Sequence, residues 1–137
     1  MIHTFLKETP NFMGAHADSI ALVHTAALAA AEKLAEDMVA LDVAERLGIT
    51  DAFLIVSGGS EPQVNAIVDE IQAKVIEKFD LRPVRREGFG LGRWVLLDYG
   101  DVVVHVQHQE DRVFYALERL WSDCPVIELP AADGKKN

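Results

Sequence analysis

The sequence predicts a mixed α/β domain in which a single mixed β-sheet is flanked by helices. Apolar residues recur at helical spacing in three segments, and short runs of β-branched and apolar residues lie between them. The predicted order is α-β-β-α-β-β-β-α, which is typical of one sheet with helices packed on it. A chain of 137 residues is long enough for one such domain with one core.

The first half of the chain contains two predicted helices joined by two strands. The helices are predicted at residues 19–37 and 60–78, and the strands at 39–43 and 52–57. Asp18 and Ser19 offer an N-cap for the first helix, and Ser60 offers one for the second. The second strand, AFLIVS, is apolar enough to be covered on both faces of the sheet.

The second half predicts a hairpin followed by a helix. Strands are predicted at 82–88, 93–98 and 101–108, and a third helix at 110–121. Tyr99-Gly100 is the expected two-residue hairpin loop. The expected apolar stripe of the third helix consists of Val113, Phe114, Leu117, Leu120 and Trp121.

Three regions are expected along the chain. Residues 1–17 are predicted to be a disordered N-terminal extension, 18–122 the folded domain and 123–137 a C-terminal tail. The N-terminus has no basic segment followed by an apolar one, which argues against secretion. The single Cys124 fits a reducing compartment, so we expect a cytoplasmic protein.

The formal net charge of −9 limits the choice of partners. The basic residues Arg82, Arg85 and Arg86 form the one basic cluster, and Glu87 lies beside them. Direct nucleic-acid binding is disfavoured, because it needs a basic surface that displaces counterions from phosphates. A basic protein partner is favoured by electrostatic steering, although on charge alone simple solubility is the better explanation.

Four possible metal ligands occur within DYGDVVVHVQH at 98–108. Because side chains alternate along a strand, His105 and His108 point to opposite faces, and Asp101 lies roughly 13 Å from His105. One ion with ligand bonds near ~2 Å cannot collect these groups. We therefore predict no metal site.

The hairpin has one core face and one ambiguous face. With Tyr99-Gly100 as the loop, Asp98 is expected opposite Asp101, Leu96 opposite Val103, and Trp94 opposite His105. The core face consists of Val95, Leu97, Val102, Val104 and Val106. The other face combines a Trp-containing apolar patch with two facing acids. Like charges directly opposite each other destabilise a hairpin, and a docked basic protein would relieve this repulsion. Alternatively, a helix covers this face and the acids are solvated.

The SGGS turn at 57–60 raises the possibility of phosphate binding. It resembles the Gly-Ser turn of the nucleotidyltransferase superfamily, whose members hold metal with a DxD pair on a following strand. Here the following residues are helical, and Asp69 and Glu70 point in different directions. A tight turn with an N-cap is the preferred interpretation. Residual nucleotide binding or nucleotidyltransferase activity is the alternative function, and no cofactor is expected.

Several stretches are similar to the ribosomal silencing factor family, also called the Iojap-like family. They are ALDV (40–43), ITDAFLIVSGGS (49–60), QVNAIVDEI (63–71) and GRWVLLDYGDVVVHVQHQEDRVFYALERLW (92–121). The resemblance implies a nucleotidyltransferase-like fold that has lost its catalytic carboxylates, and a protein that is not an enzyme. It also implies binding to the large (50S) ribosomal subunit through ribosomal protein uL14, a basic protein on the subunit-joining face. Bound there, the factor would block the small subunit and repress translation when nutrients are scarce.

The resemblance also implies which residues bind the partner. The family pattern W-x-L-x-D-Y-G-D-x-x-x-H falls on Trp94, Leu96, Asp98, Tyr99, Asp101 and His105. We extend the expected site to Glu87 and Gly88, just before the strand. Pro62 stands where many relatives have a basic residue, so any role of that residue is in doubt here. A homodimer of the free protein is also expected, because an exposed Trp-Leu-Val patch tends to be covered.

Overall fold

The computed structural model describes residues 14–88 and 90–130, which form a six-stranded mixed sheet with helices on both faces. The helices are α1 (Ala17–Glu32), α2 (Ala44–Leu47), α3 (Glu61–Phe79), α4 (Gln109–Tyr115) and α5 (Leu117–Leu120). The strands are β1 (Glu36–Asp42), β2 (Ala52–Gly58), β3 (Arg85–Glu87), β4 (Trp94–Asp98), β5 (Val102–His108) and β6 (Val126–Ile127). This architecture confirms the predicted fold class.

The strand order is β3-β4-β5-β2-β1-β6. Strands β2 and β5 run parallel, and each of the other neighbouring pairs runs antiparallel. The central strand β2 is buried along its whole length, as its continuous apolar sequence predicted. The parallel pair places the ends of β2 and β5 at one edge, where the SGGS turn and the start of α4 lie.

Helices α1 and α3 cover the first face of the sheet. Their apolar stripes pack on the inward residues of β2, β4 and β5, including Leu54, Val95 and Val104, all fully buried. Each fully buried Val, Leu or Ile contributes roughly 1.5–3 kcal/mol of transfer free energy. The core residues predicted for the hairpin, Val95, Leu97, Val102, Val104 and Val106, are all fully buried on this face.

The start of α3 forms as predicted. The Ser60 hydroxyl oxygen accepts a hydrogen bond from the Gln63 amide at 3.2 Å, and Pro62 lies in the first turn. The hydroxyl therefore satisfies one of the amides that a helix N-terminus leaves without a partner in the helix.

The first helix is shorter than predicted, because it ends at Glu32 rather than at residue 37. The amides of Lys33 and Leu34 bond back to Ala30 and Ala31, and Leu34 takes a left-handed φ of 64°. Strand β1 begins at Glu36, three residues before the predicted start. The Ala-rich sequence continues without Gly or Pro, so the local pattern contains no stop signal at this point.

The third predicted helix is broken into α4 and α5. Ala116 adopts a left-handed φ of 45° and separates them. Leu117 and Trp121 then pack with Phe53 and Cys124 on the second face of the sheet. Val113, Phe114 and Leu120 remain exposed, so the single apolar stripe predicted for this segment is wrong.

The expectation of an N-terminal extension falls mainly on residues 1–13, which lie outside the described residues. Within the described part, the Ala15 amide donates to Asp42 at 2.8 Å and the His16 amide donates to Asp51 at 3.2 Å. At the other end, β6 pairs with β1, so the first residues of the expected tail join the sheet. No helix within residues 14–88 and 90–130 is long and apolar enough to cross a membrane.

Candidate functional site

The second face of the sheet has a covered half and an open half. Over β1 and β2, the residues Leu41, Phe53 and Ile55 are buried beneath Leu117, Trp121 and Cys124. Over β4 and the adjoining part of β5, the residues Trp94, Leu96 and Val103 are only half-buried. We call these three residues the open face. The helix cover that the sequence left as an alternative for the hairpin lies over β1 and β2 and leaves these three hairpin residues half-buried.

The hairpin register differs from the prediction by two residues. Leu96 pairs with His105, Trp94 with Gln107, and Asp98 with Val103. The Tyr99 amide bonds the Val102 carbonyl at 2.9 Å, which makes Gly100-Asp101 the two-residue loop. Gly100 has a φ of 91°, and the first loop position of a type II′ turn requires a positive φ. Tyr99 would be strained in that position, so the loop lies one residue later than predicted.

This register change corrects the prediction of two acids facing each other. Asp98 Oδ1 accepts from the Gly100 amide at 2.8 Å, and Asp98 Oδ2 lies 3.6 Å from Nη2 of Arg85. Asp101 stands at the loop tip and is exposed, and no described residue pairs with its carboxylate. The hairpin therefore presents one internally paired acid and one acid available to a partner.

Trp94 and His105 form the centre of the open face. The Trp94 indole Nε1 donates a hydrogen bond to Nδ1 of His105 at 3.2 Å. The His105 ring also meets Phe53 edge-on at a centroid distance of 5.3 Å. Burial lowers the pKa of His105 from 6.5 to about 4, so the ring is neutral at neutral pH and can accept the indole proton.

Tyr99 lies on the opposite side of the sheet from Trp94. Its ring packs against the core beneath α1 and α3, and its hydroxyl is buried without a hydrogen-bond partner among the described residues. Burial raises the pKa of Tyr99 to about 12, so the hydroxyl stays protonated. The structure therefore does not bring Tyr99 together with Trp94, Leu96 and His105.

Glu87 and Gly88 flank the open face at the sheet edge. Glu87 pairs with Leu96 across β3 and β4, so its side chain shares the face of Leu96, and it lies 3.4 Å from Nε of Arg85. Gly88 has a φ of 74°, and a Cβ there would overlap the carbonyl oxygen of Trp94. The glycine allows the two backbones to approach, which supports the position of Trp94.

Sequence reasoning missed the exposed residues of α4. Tyr115 contacts the Trp94 ring at a centroid distance of 4.9 Å, and Phe114 contacts Tyr115 at 4.9 Å. Val113 and Phe114 are 80% and 78% exposed. The helical periodicity pointed to these residues but assigned them to the core. The local sequence carried no signal for this arrangement, because it depends on the burial of Arg112, which reverses the orientation of the helix.

Comparisons with known proteins show the family of the chain. The family described as "Ribosomal silencing factor during starvation" matches residues 16–137. The chain belongs to the ribosomal silencing factor family. It is 46% identical over 108 residues to the silencing factor of Halalkalibacterium halodurans, covering 79% of this chain and 92% of that one. It is 44% identical over 108 residues to the silencing factor of Bacillus subtilis, covering 79% and 91%.

A solved structure supports the fold of this silencing factor. A protein from Chromobacterium violaceum matches with a TM-score of 0.72 and 30% identity, covering 84% of this chain and 92% of that one. The recognised family is therefore confirmed by sequence and by fold.

In the SGGS turn of the silencing factor, the Gly59 amide and the Ser60 hydroxyl are hydrogen-bonded within the chain itself. The Gly59 amide donates to Oε1 of Gln63 at 2.7 Å, and the Gln63 amide bonds to Ser60. Gly92 is buried against the backbone of Glu61 at the helix start. A phosphate would have to displace these contacts beside a carboxylate, so the geometry favours the structural interpretation of the turn.

The two histidines of β5 also have structural partners in this silencing factor. His105 accepts the indole hydrogen bond, and Nδ1 of His108 accepts from the Glu110 amide at the start of α4. Within residues 14–88 and 90–130, no group of three or more His, Cys, Asp or Glu side chains could hold a metal ion.

Proposed function

We propose that this silencing factor binds the large (50S) ribosomal subunit through ribosomal protein uL14 and blocks docking of the small subunit. Translation is thereby repressed when nutrients are limited. Family membership supports a role in ribosome silencing. The observation that carries the proposal is the open face, where Trp94, Leu96 and Val103 are half-buried, on a hairpin whose tip carries the exposed Asp101.

The open face has the chemistry of a protein interface. Tryptophan is enriched among residues that dominate binding energy, and Trp94 is held in place by His105 and Tyr115. A side chain already fixed by neighbours loses little conformational entropy on binding. Trp94 and Leu96 are the proposed apolar contacts, and His105 supports them from beneath.

The acidic groups favour a basic partner. Asp101 is exposed at the loop tip, whereas Asp98 and Glu87 are each close to Arg85. The formal charge of −9 adds a long-range attraction toward a basic protein. We therefore propose that Asp101 meets a Lys or Arg of the partner, with Asp98 and Glu87 in supporting positions. Binding should weaken as ionic strength rises.

The proposed mechanism is steric and requires no chemical step or cofactor. Six strands at ~4.8 Å spacing span roughly 24 Å, and the layer of α1 and α3 adds about 10 Å. A domain of this size on the subunit-joining face would occupy the space of the small subunit.

The action would take place in the cytoplasm. The homodimer expected for the free protein would use the same open face and compete with ribosome binding.

Co-sedimentation with purified large subunits tests the proposal. The wild-type protein should bind and should prevent added small subunits from joining. Asp101→Lys should weaken binding at least tenfold without affecting folding, since the replaced carboxylate is exposed. Asp69→Lys is the matched control, because it makes the same charge change at an exposed position of α3 on the other side of the sheet.

Trp94→Ala supplies a second variant. Loss of an interface anchor should weaken binding by about 2 kcal/mol or more, which is roughly 30-fold. Because Trp94 is half-buried and hydrogen-bonded, the variant should also lose about 2 kcal/mol of folding stability. Melting curves therefore accompany the binding data. If the wild-type protein does not bind large subunits, the proposal is wrong, and saturable nucleotide binding abolished by Gly59→Val would favour the alternative function.

A further inference from the structure

Helix α4 buries a charged side chain and exposes apolar ones, which is the opposite of what is expected for a helix on a sheet. Arg112 points inward and is only 7% exposed, whereas its neighbours Val113 and Phe114 are 80% and 78% exposed. A surface helix normally buries its apolar residues and exposes its charged ones. Two large apolar side chains in solvent beside a buried arginine bring no benefit to the isolated domain.

The inward arginine determines this orientation. Arg112 Nη1 donates to the hydroxyl oxygen of Ser57 at 2.7 Å, and its Nε donates to Glu118 at 3.2 Å. Successive helical residues are rotated by about 100°, so fixing Arg112 against the sheet turns the next two residues toward solvent. The left-handed Ala116 then lets Leu117 and Trp121 return to the sheet without burying Val113 or Phe114.

Phe114 of α4 is continuous with the open face. The Phe114 ring meets Tyr115, and Tyr115 meets Trp94, each at a centroid distance of 4.9 Å. Three aromatic rings thus connect the tip of α4 with the centre of the open face. A partner large enough to cover Trp94 would reach this helix as well.

Charge argues that the occupant on the ribosome is the same basic partner. A basic protein is attracted to both surfaces, whereas a homodimer of the free protein brings together two copies that each carry a formal charge of −9, so the basic partner is favoured over the second copy. We infer that Val113 and Phe114 form a second anchor of the docking surface, and that the basic protein bound at the open face also covers them. This inference rests on the proposed function.

The test uses the full chain and a Val113→Ser/Phe114→Ser double variant in co-sedimentation with purified large subunits. Both side chains are exposed, so the melting temperature should stay close to that of the wild type. We expect at least a tenfold loss of affinity. Val126→Ser is the matched control, because this valine is 69% exposed in β6 at the far edge of the sheet, and it should bind like the wild type.

The outcomes separate this inference from the proposed function. If the double variant binds normally while Trp94→Ala does not, the second anchor is wrong and the proposed function stands. If the wild type itself does not bind, both are wrong. A photo-crosslinking phenylalanine analogue at position 114 gives an independent readout on purified subunits. A cross-link to a basic ribosomal protein supports the inference, and a cross-link to ribosomal RNA or to a second copy overturns it.

Discussion

Trp94 and His105 are joined by a hydrogen bond although they are not paired across the sheet. His105 faces Leu96 in the register, and the indole of Trp94 reaches along the strand to Nδ1 of His105 at 3.2 Å. The indole N–H can only donate, so this nitrogen of the ring must be deprotonated. The position of the half-buried Trp94 thus depends on the protonation state of a buried histidine.

The first prediction concerns acid stability. Burial lowers the pKa of His105 from 6.5 to about 4, so the unfolded chain takes up a proton before the folded protein does. The contribution of His105 to stability is complete above pH ~6.5 and is lost as the pH falls toward 4. Measured by urea unfolding, the contribution of His105 to the unfolding free energy should be about 2–3 kcal/mol smaller at pH 4.5 than at pH 7. His105→Gln, which can still accept a hydrogen bond but does not titrate, should show a smaller drop; an equal drop in both proteins would contradict the assignment.

The second prediction compares two glycines with positive φ. Gly88→Ala places a Cβ against the Trp94 carbonyl and should cost more than about 2 kcal/mol of unfolding free energy. Gly100→Ala has a similar backbone angle but open space around it, so it should cost only about 1 kcal/mol. Thermal unfolding of both variants measures the difference. Equal losses would mean that the close approach of Gly88 to the Trp94 carbonyl does not affect the unfolding free energy.

The third prediction concerns a buried amide. Gln107 is fully buried, and among the described residues neither polar atom of its side chain has a hydrogen-bond partner. Replacement by leucine should therefore raise the unfolding free energy by about 1–2 kcal/mol. Gln63 is the contrasting case, because its side chain bonds Gly59 and two carbonyls at the end of α1, and Gln63→Leu should lower stability by a similar amount. Destabilisation in both variants would contradict this account of Gln107.

The fourth prediction concerns the anchor of α4. Arg112→Met keeps much of the side-chain volume but leaves the buried Ser57 hydroxyl without its donor, so it should cost about 2 kcal/mol. Arg119→Met is the exposed control and should change stability by less than about 0.5 kcal/mol. Urea unfolding measures both. Similar values for the two variants would show that the buried arginine does not hold the helix.

The faces of the hairpin could be predicted even though its register could not. Alternation along a strand has a period of two, and the register error was also two residues, so every side chain kept its face. Val95 and Val104 therefore lie in the predicted core despite the wrong partners. The same alternation places Tyr99 on the core side, which the family pattern alone did not indicate.

The sequence by itself determined the two long helices, the central strands, the fold class, the core face and the family, because periodicity and motif spacing are properties of neighbouring residues. Only the tertiary structure decided that half of the second face stays open and that α4 exposes its apolar residues. These features depend on contacts distant in sequence, such as Arg112 with Ser57 and Trp121 with Phe53. A buried arginine with a partner 55 positions away leaves no periodic signal in the local sequence.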